Sequence, residues 1–147
     1  MKNCDIGLAG EESAALYLEK KGYRIIGKRV CIGHSEVDII AENEEYTVFV
    51  EVKTRRVYPA QTDFYSAPAA AVDSKKQAYL TRAAEEYLTE HCVTEHNDER
   101  FFRIDVIEVY ADPKSESYRV LDIVHTENAV KKRGKFSLKA NIYNKNN

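Results

Sequence analysis

The stretch from Ser35 to Arg55, SEVDIIAENEEYTVFVEVKTR, has the pattern of a β-hairpin. Two apolar segments rich in β-branched residues, 37–40 and 47–53, flank the polar connection ENEE at 42–45. Short β-branched runs separated by a polar turn are typical of paired antiparallel strands. We therefore expect this hairpin to organise the rest of the fold.

The predicted hairpin brings charged side chains together. If it folds symmetrically about its polar turn, Asp38 lies opposite Glu51 and Glu36 lies opposite Lys53. Directly opposed side chains lie about 4.5–5.5 Å apart at Cβ. Two carboxylates at this distance repel unless a cation lies between them, so one interpretation is a divalent-cation site with an attached lysine. The other is an ordinary set of cross-strand Glu and Lys pairs on an exposed strand.

Composition is that of one globular domain, with 147 residues of which 44% are hydrophobic. The formal net charge of −2 and a pI near 6.1 give no global signature of nucleic-acid binding. Basic residues nevertheless outnumber acidic ones from Lys53 to Arg82 and again from Lys131 to the end. Such local basic surfaces are compatible with phosphate binding without requiring it.

The cysteines and the hydropathy pattern bear on compartment. Cys4, Cys31 and Cys92 are widely spaced, and no apolar run approaches the ~20 residues that span a membrane. The start of the chain also lacks the apolar core of a signal peptide. We expect a cytoplasmic protein with reduced thiols and no membrane partner. The spacing of His91, Cys92 and His96 fits no zinc pattern well.

Two helices are predicted, over residues 5–21 and from Ser74 to about His91. The first ends in a basic turn before Gly22, and the second begins with the sequence SKKQ, read as a capping box. Glu11 lies on the apolar stripe of the first helix, where a buried carboxylate must be paired or metal-bound. The alternative is that Glu11 stays solvated in the first turns, favoured by the helix dipole.

Strands are predicted at residues 23–32, in both arms of the hairpin, at 101–110 and at 118–125. The element order is then helix, three strands, helix, two strands. We predict an α/β (α+β) fold with helices flanking one central mixed sheet. Residues 1–128 would form the domain, and residues 129–147 a basic, frayed tail.

An irregular segment joins the hairpin to the second helix. A long loop within a compact domain is commonly functional. It begins with basic residues and carries tyrosines that can contact a phosphate backbone or bases, or that belong to an ordinary surface loop. These are Arg55, Arg56, Tyr58 and Tyr65.

Three segments in order resemble the YraN-type family of small bacterial proteins, which is assigned to the PD-(D/E)XK restriction-endonuclease-like superfamily. They are GLAGEESA at 7–14, EVDII at 36–40 and VFVEVKTR at 48–55. Two later segments, around Lys76 and at FRIDV (102–106), also fit the family pattern. The chain departs from that pattern at Ser35, usually glycine, and at Cys31, usually arginine.

The resemblance implies a restriction-endonuclease-like core with a metal-dependent nuclease site. Glu11, Asp38, Glu51 and the Val52 carbonyl would bind Mg²⁺, or alternatively Mn²⁺. Lys53, with Glu51 and Asp38, would be catalytic. The residues implied to support the site or contact substrate are Glu36, Arg55 and Lys76.

Three functions follow as hypotheses. The first is a Mg²⁺-dependent endonuclease-like protein that hydrolyses DNA phosphodiester bonds, with branched or damaged DNA as candidate substrates and a homodimer as a candidate assembly. The second is a non-catalytic nucleic-acid-binding or adaptor protein that keeps the nuclease fold. The third is a protein–protein module, for which Asp38 and Glu51 should point into solvent on different faces.

Overall fold

A computed structural model describes residues 3–57, 72–91, 101–112, 114 and 118–130 of the protein. Its elements are α1 (Asn3–Lys20), β1 (Arg24–Ile32), β2 (Ser35–Glu42), β3 (Tyr46–Arg56), α2 (Ser74–His91), β4 (Phe101–Asp112) and β5 (Arg119–Thr126). This is the predicted order of helix, three strands, helix and two strands. The predicted α/β fold is confirmed, and its architecture is consistent with a restriction-endonuclease-like core.

The five strands form one mixed sheet in the order β1-β2-β3-β4-β5. Neighbouring strands are antiparallel except β3 and β4, which run parallel. Parallel neighbours need a crossover connection, and α2 lies in the segment that joins them. The hairpin of β2 and β3 therefore lies inside the sheet, with β3 at its centre.

The two helices cover opposite faces of the sheet. α1 packs through Ala14, Ala15 and Leu18 on one face, together with Val48, Val50 and Ile107. α2 packs through Leu80, Ala84 and Leu88 on the other face, together with Phe49 and Ile104. Because strand residues alternate between faces, adjacent residues of β3 serve two separate apolar clusters. The hairpin therefore lies between the two helices.

Local contacts set the end of α1 and the start of α2, and the predicted start of α2 needs one correction. Gly22 adopts a positive φ of 94°, and Tyr23 N–H donates to the Leu18 carbonyl at 3.0 Å, which closes α1 as the glycine stop predicts. The predicted capping box at Ser74 is wrong by one residue. Asp73 is the cap, since its Oδ1 accepts the N–H of Lys76 at 2.7 Å; the carboxylate reaches the third amide of the helix from one position earlier.

The packed domain extends slightly past residue 128. Ala129 N–H donates to the Ile104 carbonyl at 2.8 Å, and Val130 packs in the α2-side cluster. The remainder of the predicted tail lies outside the described residues, as do Tyr58, Tyr65, Cys92 and His96. No described helix has the length and apolar content required to cross a membrane.

Candidate active site at the open end of the hairpin

The hairpin of β2 and β3 has the predicted register. Ile39 pairs with Val50, and the same register places Asp38 opposite Glu51. The regular ladder reaches Ile39 and does not continue to Asp38. Instead, Asp38 Oδ2 accepts a hydrogen bond from the backbone N–H of Val52 at 2.8 Å. A side-chain carboxylate thus takes the place of a backbone acceptor, and the two strands part at this point.

The alternation of side chains in β2 is interrupted at Asp38. Val37 packs in the cluster beneath α2, whereas Ile39 packs in the cluster beneath α1. Residues two apart in a regular strand share one face. The strand therefore turns at Asp38, which gives this carboxylate electrostatic contact with groups from both sides of the sheet.

Glu51 is the buried acid of the site. Its side chain is 6% exposed, and Oε2 has no hydrogen-bond partner among the described residues. Two ammonium groups flank it: Lys53 Nζ lies 3.5 Å from Oε1, and Lys76 Nζ lies 3.7 Å from Oε2. Lys53 reaches Glu51 because the two share a strand face, and Lys76 reaches it from the first turn of α2. Lys76, predicted to support the site or to contact substrate, thus lies beside Glu51.

The pKa of Asp38 is raised from 3.8 to about 7. Burial is the largest cause, because it disfavours the charged carboxylate. The hydrogen bond from Val52 opposes this rise, the negative charges of Glu51 and Glu11 add to it, and the charge of Lys76 again opposes it. Three carboxylates therefore share one electrostatic environment at the open end of the hairpin.

Two environments were predicted for Glu11, a buried one with a compensating partner and a solvated one, and the structure places it between them. Its side chain is 16% exposed, and Oε2 accepts a hydrogen bond from Nε of Arg29 at 2.8 Å. The carboxylate is thus largely buried but paired, as a buried charge requires. It borders a cleft of about 310 Å³ whose other lining residues include Val52, Thr54 and Arg56. This cleft opens on the α1 side of the site.

The predicted pair of Glu36 and Lys53 does not form among the described residues. Among the described residues, the Lys53 ammonium forms its ion pair with Glu51. Glu36 is exposed and lines a separate cleft of about 230 Å³ with Lys76 and Tyr79. The ladder ends before these positions, so the facing of Glu36 and Lys53 that a regular hairpin would give is lost.

Arg55 has a partner inside the sheet. Its Nη2 lies 3.4 Å from Oε1 of Glu108, which is completely buried in β4, and Tyr110 donates its hydroxyl to Glu108 Oε2 at 2.8 Å. Arg55 thus compensates a buried carboxylate on the neighbouring parallel strand. The ion pair of Arg55 with Glu108 thus differs from the phosphate contact that was predicted for Arg55.

A family model described as "Uncharacterised protein family UPF0102" matches residues 10–109. The chain belongs to the UPF0102 family. A UPF0102 protein of Clostridium acetobutylicum is 38% identical over 127 residues, covering 86% of this chain and 94% of that protein. A UPF0102 protein of Caldicellulosiruptor saccharolyticus is 37% identical over 133 residues, covering 88% and 99%. Another, of Clostridium botulinum, is 36% identical over 118 residues, covering 80% and 89%.

The predicted YraN-type family membership is thereby confirmed. The segment matched to UPF0102 begins at α1 and ends within β4, so it contains every predicted site residue. It does not include β5, which forms the far edge of the sheet. The part of this UPF0102 protein that the family model matches is therefore the part that builds the open end of the hairpin.

The carboxylates of this UPF0102 protein fit a cation only in part. Hard divalent cations prefer carboxylate oxygens, and Mg²⁺ commonly uses one or two with waters and substrate phosphate. Asp38 and Glu51, whose Oε2 lacks a hydrogen-bond partner, satisfy that need. Glu11 is paired with Arg29. The described residues contain no group of three or more His, Cys, Asp or Glu side chains placed to hold a metal ion.

Two residues of this UPF0102 site were missed in the sequence. Arg29 is a charged residue in a strand of mixed alternation, and no local signal connects it to Glu11. Glu108 did carry a signal, since it is an acid within the apolar run of β4 at a position that strand periodicity predicts to be buried. Such an acid needs a cationic partner, and Arg55 on the next strand supplies it.

Proposed function

We propose that this UPF0102 protein is a Mg²⁺-dependent endonuclease-like protein that binds DNA and hydrolyses phosphodiester bonds. One observation carries the proposal. Asp38 leaves the ladder opposite Glu51, and this pair of carboxylates is flanked by the ammonium groups of Lys53 and Lys76. A hydrolytic site for phosphodiesters needs this combination of hard anionic ligands and cationic side chains beside them.

Asp38 and Glu51 would hold the ion, with the Val52 carbonyl as a further candidate ligand. Mg²⁺ or Mn²⁺ bound there would supply Lewis-acid polarisation of the phosphodiester and activation of water. The protein's own contribution is to keep the two carboxylates together in a partly desolvated place, where electrostatic interactions are stronger than in water. Keeping Asp38 ionised in this place costs free energy, and its raised pKa reflects that cost.

Lys53 is the proposed catalytic cation. Its side chain is 35% exposed, so the ammonium is anchored by Glu51 yet open to a substrate. Negative charge builds up on the phosphoryl oxygens during hydrolysis, and a fixed ammonium beside them stabilises that charge. Lys76, which is 41% exposed and anchored on the same carboxylate, would hold a neighbouring phosphate.

The acids are not arranged as a solvated surface. Glu51 is 6% exposed, and the pKa of Asp38 is raised first by burial and then by the charges of Glu51 and Glu11. A protein–protein module with Asp38 and Glu51 splayed into solvent on different faces does not fit this geometry. The proposal therefore rests on acidic and basic side chains that lie close together in a partly buried place.

A cleavage panel tests the proposal. Linear, flapped and four-way DNA would be incubated with wild-type protein and Mg²⁺ or Mn²⁺, beside the Lys53→Ala and Glu51→Gln variants. We expect metal-dependent cutting by the wild type and a loss of about 10²-fold or more in each variant. Lys75→Ala, which removes the exposed lysine next to Lys76, is the matched control and should cut normally.

The same variants separate catalysis from binding. If no substrate is cut with either metal, while salt-sensitive DNA binding persists without metal and survives Asp38→Ala, the protein is a non-catalytic nucleic-acid binder. The ion pair that occupies Glu11 favours this second function. Cutting by Lys53→Ala at the wild-type rate would refute the assigned role of that lysine.

A further inference from the structure

We propose that Arg29 is a latch that holds Glu11 away from the candidate metal site until a DNA phosphate takes over the arginine. Metal binding would then depend on bound substrate. The inference rests on the proposed function and adds its regulation. It assigns a role to Arg29, a residue outside the predicted site.

Arg29 lies against the site from the edge strand. Its neighbours in β1 pair with Ile39 and Val37 of β2, so Arg29 falls opposite Asp38. Its Nε donates to Glu11 Oε2 at 2.8 Å. The guanidinium thereby bridges β1 and α1 across the point where the hairpin opens.

Three carboxylates act on this guanidinium. The pKa of Arg29 is raised chiefly by the hydrogen bond to Glu11, then by the charge of Glu11, with further increases from Glu36 and Asp38. Arginine thus provides the positive charge that the predicted acids need when they approach one another. Among the described residues, Glu11 and Asp38 thus share the charge of Arg29, while Glu51 is paired with Lys53 and Lys76.

The backbone of Arg29 is held in an uncommon conformation. Its φ is 50°, in the left-handed region that non-glycine residues seldom adopt. Such conformations persist where the surroundings enforce them and are concentrated at ligand clamps and switch regions. Here the conformation coincides with the place where β2 changes its side-chain alternation opposite Arg29. The two neighbouring irregularities aim the guanidinium toward α1.

The exposures of the pair indicate which partner is free to exchange. The Arg29 side chain is 48% exposed, whereas that of Glu11 is 16% exposed. Guanidinium binds a phosphate as readily as a carboxylate, with the same two-pronged geometry. A DNA strand arriving from solvent therefore meets Arg29 first. When Arg29 moves to the phosphate, the negative charge of Glu11 beside Asp38 is no longer compensated. A divalent ion that binds there restores the compensation.

Calorimetric titration of Mn²⁺ without DNA is the direct test. We would compare wild-type protein with Arg29→Asn, because Asn tolerates a positive φ and carries no charge. The variant should bind Mn²⁺ at least about fivefold more tightly, the lower end of ordinary coupling between sites. Adding Glu11→Gln to that variant should abolish the gain. Arg24→Asn, which removes an exposed arginine of β1 paired with Glu42, should bind like the wild type.

A second titration tests the dependence on substrate. In a Lys53→Ala background, which the proposed function makes inactive, duplex DNA should tighten Mn²⁺ binding in the presence of Arg29 and leave it unchanged with Arg29→Asn. Equal Mn²⁺ affinity of wild type and Arg29→Asn would overturn the latch while leaving the metal site intact. Absence of Mn²⁺ binding in every protein, at millimolar ion, would overturn the metal site of the proposed function together with the latch.

Discussion

At the scale of single residues, Asp38 combines two demands that oppose each other. Its carboxylate must be ionised to bind a cation, because metal ligands act in their deprotonated form. Its carboxyl is nevertheless largely buried and lies near the negative charges of Glu51 and Glu11. Burial and these charges raise its pKa to about 7. Without a cation, ionising Asp38 at neutral pH therefore costs more free energy than ionising an ordinary carboxyl. A residue whose presence weakens the fold is expected at a functional site.

Asp38→Asn should stabilise the fold above neutral pH. The folded pKa of about 7 exceeds the ordinary value of 3.8, so the folded state binds this proton more tightly than the unfolded chain. The cost of ionisation then grows between about pH 4 and pH 7 and is complete above that range. Asn retains an oxygen for the Val52 amide, so urea unfolding should show a gain of about 1–2 kcal/mol at pH 8, below the full linkage value because of solvent screening.

The same substitution should have little effect at pH 3, where Asp38 is mostly protonated in both states. Mn²⁺ binding should be lost at every pH. Glu44→Gln, in the exposed turn of the hairpin, is the control and should alter stability by less than about 0.5 kcal/mol throughout. A gain from Asp38→Asn that did not vary with pH would contradict the assigned ionisation cost.

At the scale of elements, one glycine sets the distance between α1 and β3. A Cβ added at Gly10 would lie 2.0 Å from Oγ1 of Thr54 and 3.2 Å from its Cβ. Rotating the Thr54 side chain relieves the first contact but not the second. The helix can pack so closely on the strand only because Gly10 lacks a side chain, and Glu11, the next residue, depends on that approach.

Gly10→Ala should destabilise the protein by about 1–3 kcal/mol, because the added methyl overpacks the contact with β3. It should also weaken Mn²⁺ binding by displacing Glu11. Gly7→Ala is the matched control in the same helix: a Cβ there meets no atom within 4 Å. That variant should be more stable by about 0.5–1 kcal/mol, through helix propensity alone. Thermal unfolding of the two proteins measures both, and effects of equal sign would refute the packing role of Gly10.

In the molecule as a whole, a buried polar network joins α1, β4 and β5 on the α1 face of the sheet. Asp105 in β4 is fully buried and accepts hydrogen bonds from Nε and Nη2 of Arg103, both at 2.8 Å. His125 in β5 lies 2.7 Å from Asp105 through Nε2, and its Nδ1 lies 3.3 Å from the hydroxyl of Tyr17 in α1. The arrangement suits a ring that donates to Asp105 and accepts from Tyr17, tying α1 to the last two strands.

Asp105→Ala should therefore cost about 3–5 kcal/mol, since it removes the carboxylate that accepts two hydrogen bonds from the largely buried Arg103 guanidinium. Burial by itself would raise the pKa of Asp105, but hydrogen bonds from His125, Arg103 and the Asn128 amide lower it below 3.8. The stabilisation is thus complete above about pH 4 and is lost as the pH falls further. Chemical unfolding at pH 7 and pH 3 should show a larger cost at pH 7.

Much of the fold was predictable because its determinants are local. The alternation in residues 37–40 and 47–53 predicts two strands, and the polar turn between them predicts their register, which Ile39 and Val50 confirm. Gly22 predicts the end of α1 because only a residue tolerant of positive φ closes a helix in this way. The order of the three family-like segments predicts both the family and the architecture.

The chemistry of the candidate site depended on contacts between elements distant in the chain. That Asp38 faces Glu51 could be predicted from the residues of the hairpin, because the period of a strand is set by its own backbone. That Asp38 binds the Val52 amide, that Arg55 pairs with Glu108 and that Arg29 pairs with Glu11 depends on how the elements pack. A long charged side chain takes the partner that burial leaves available, and burial is established only when helices and strands pack together.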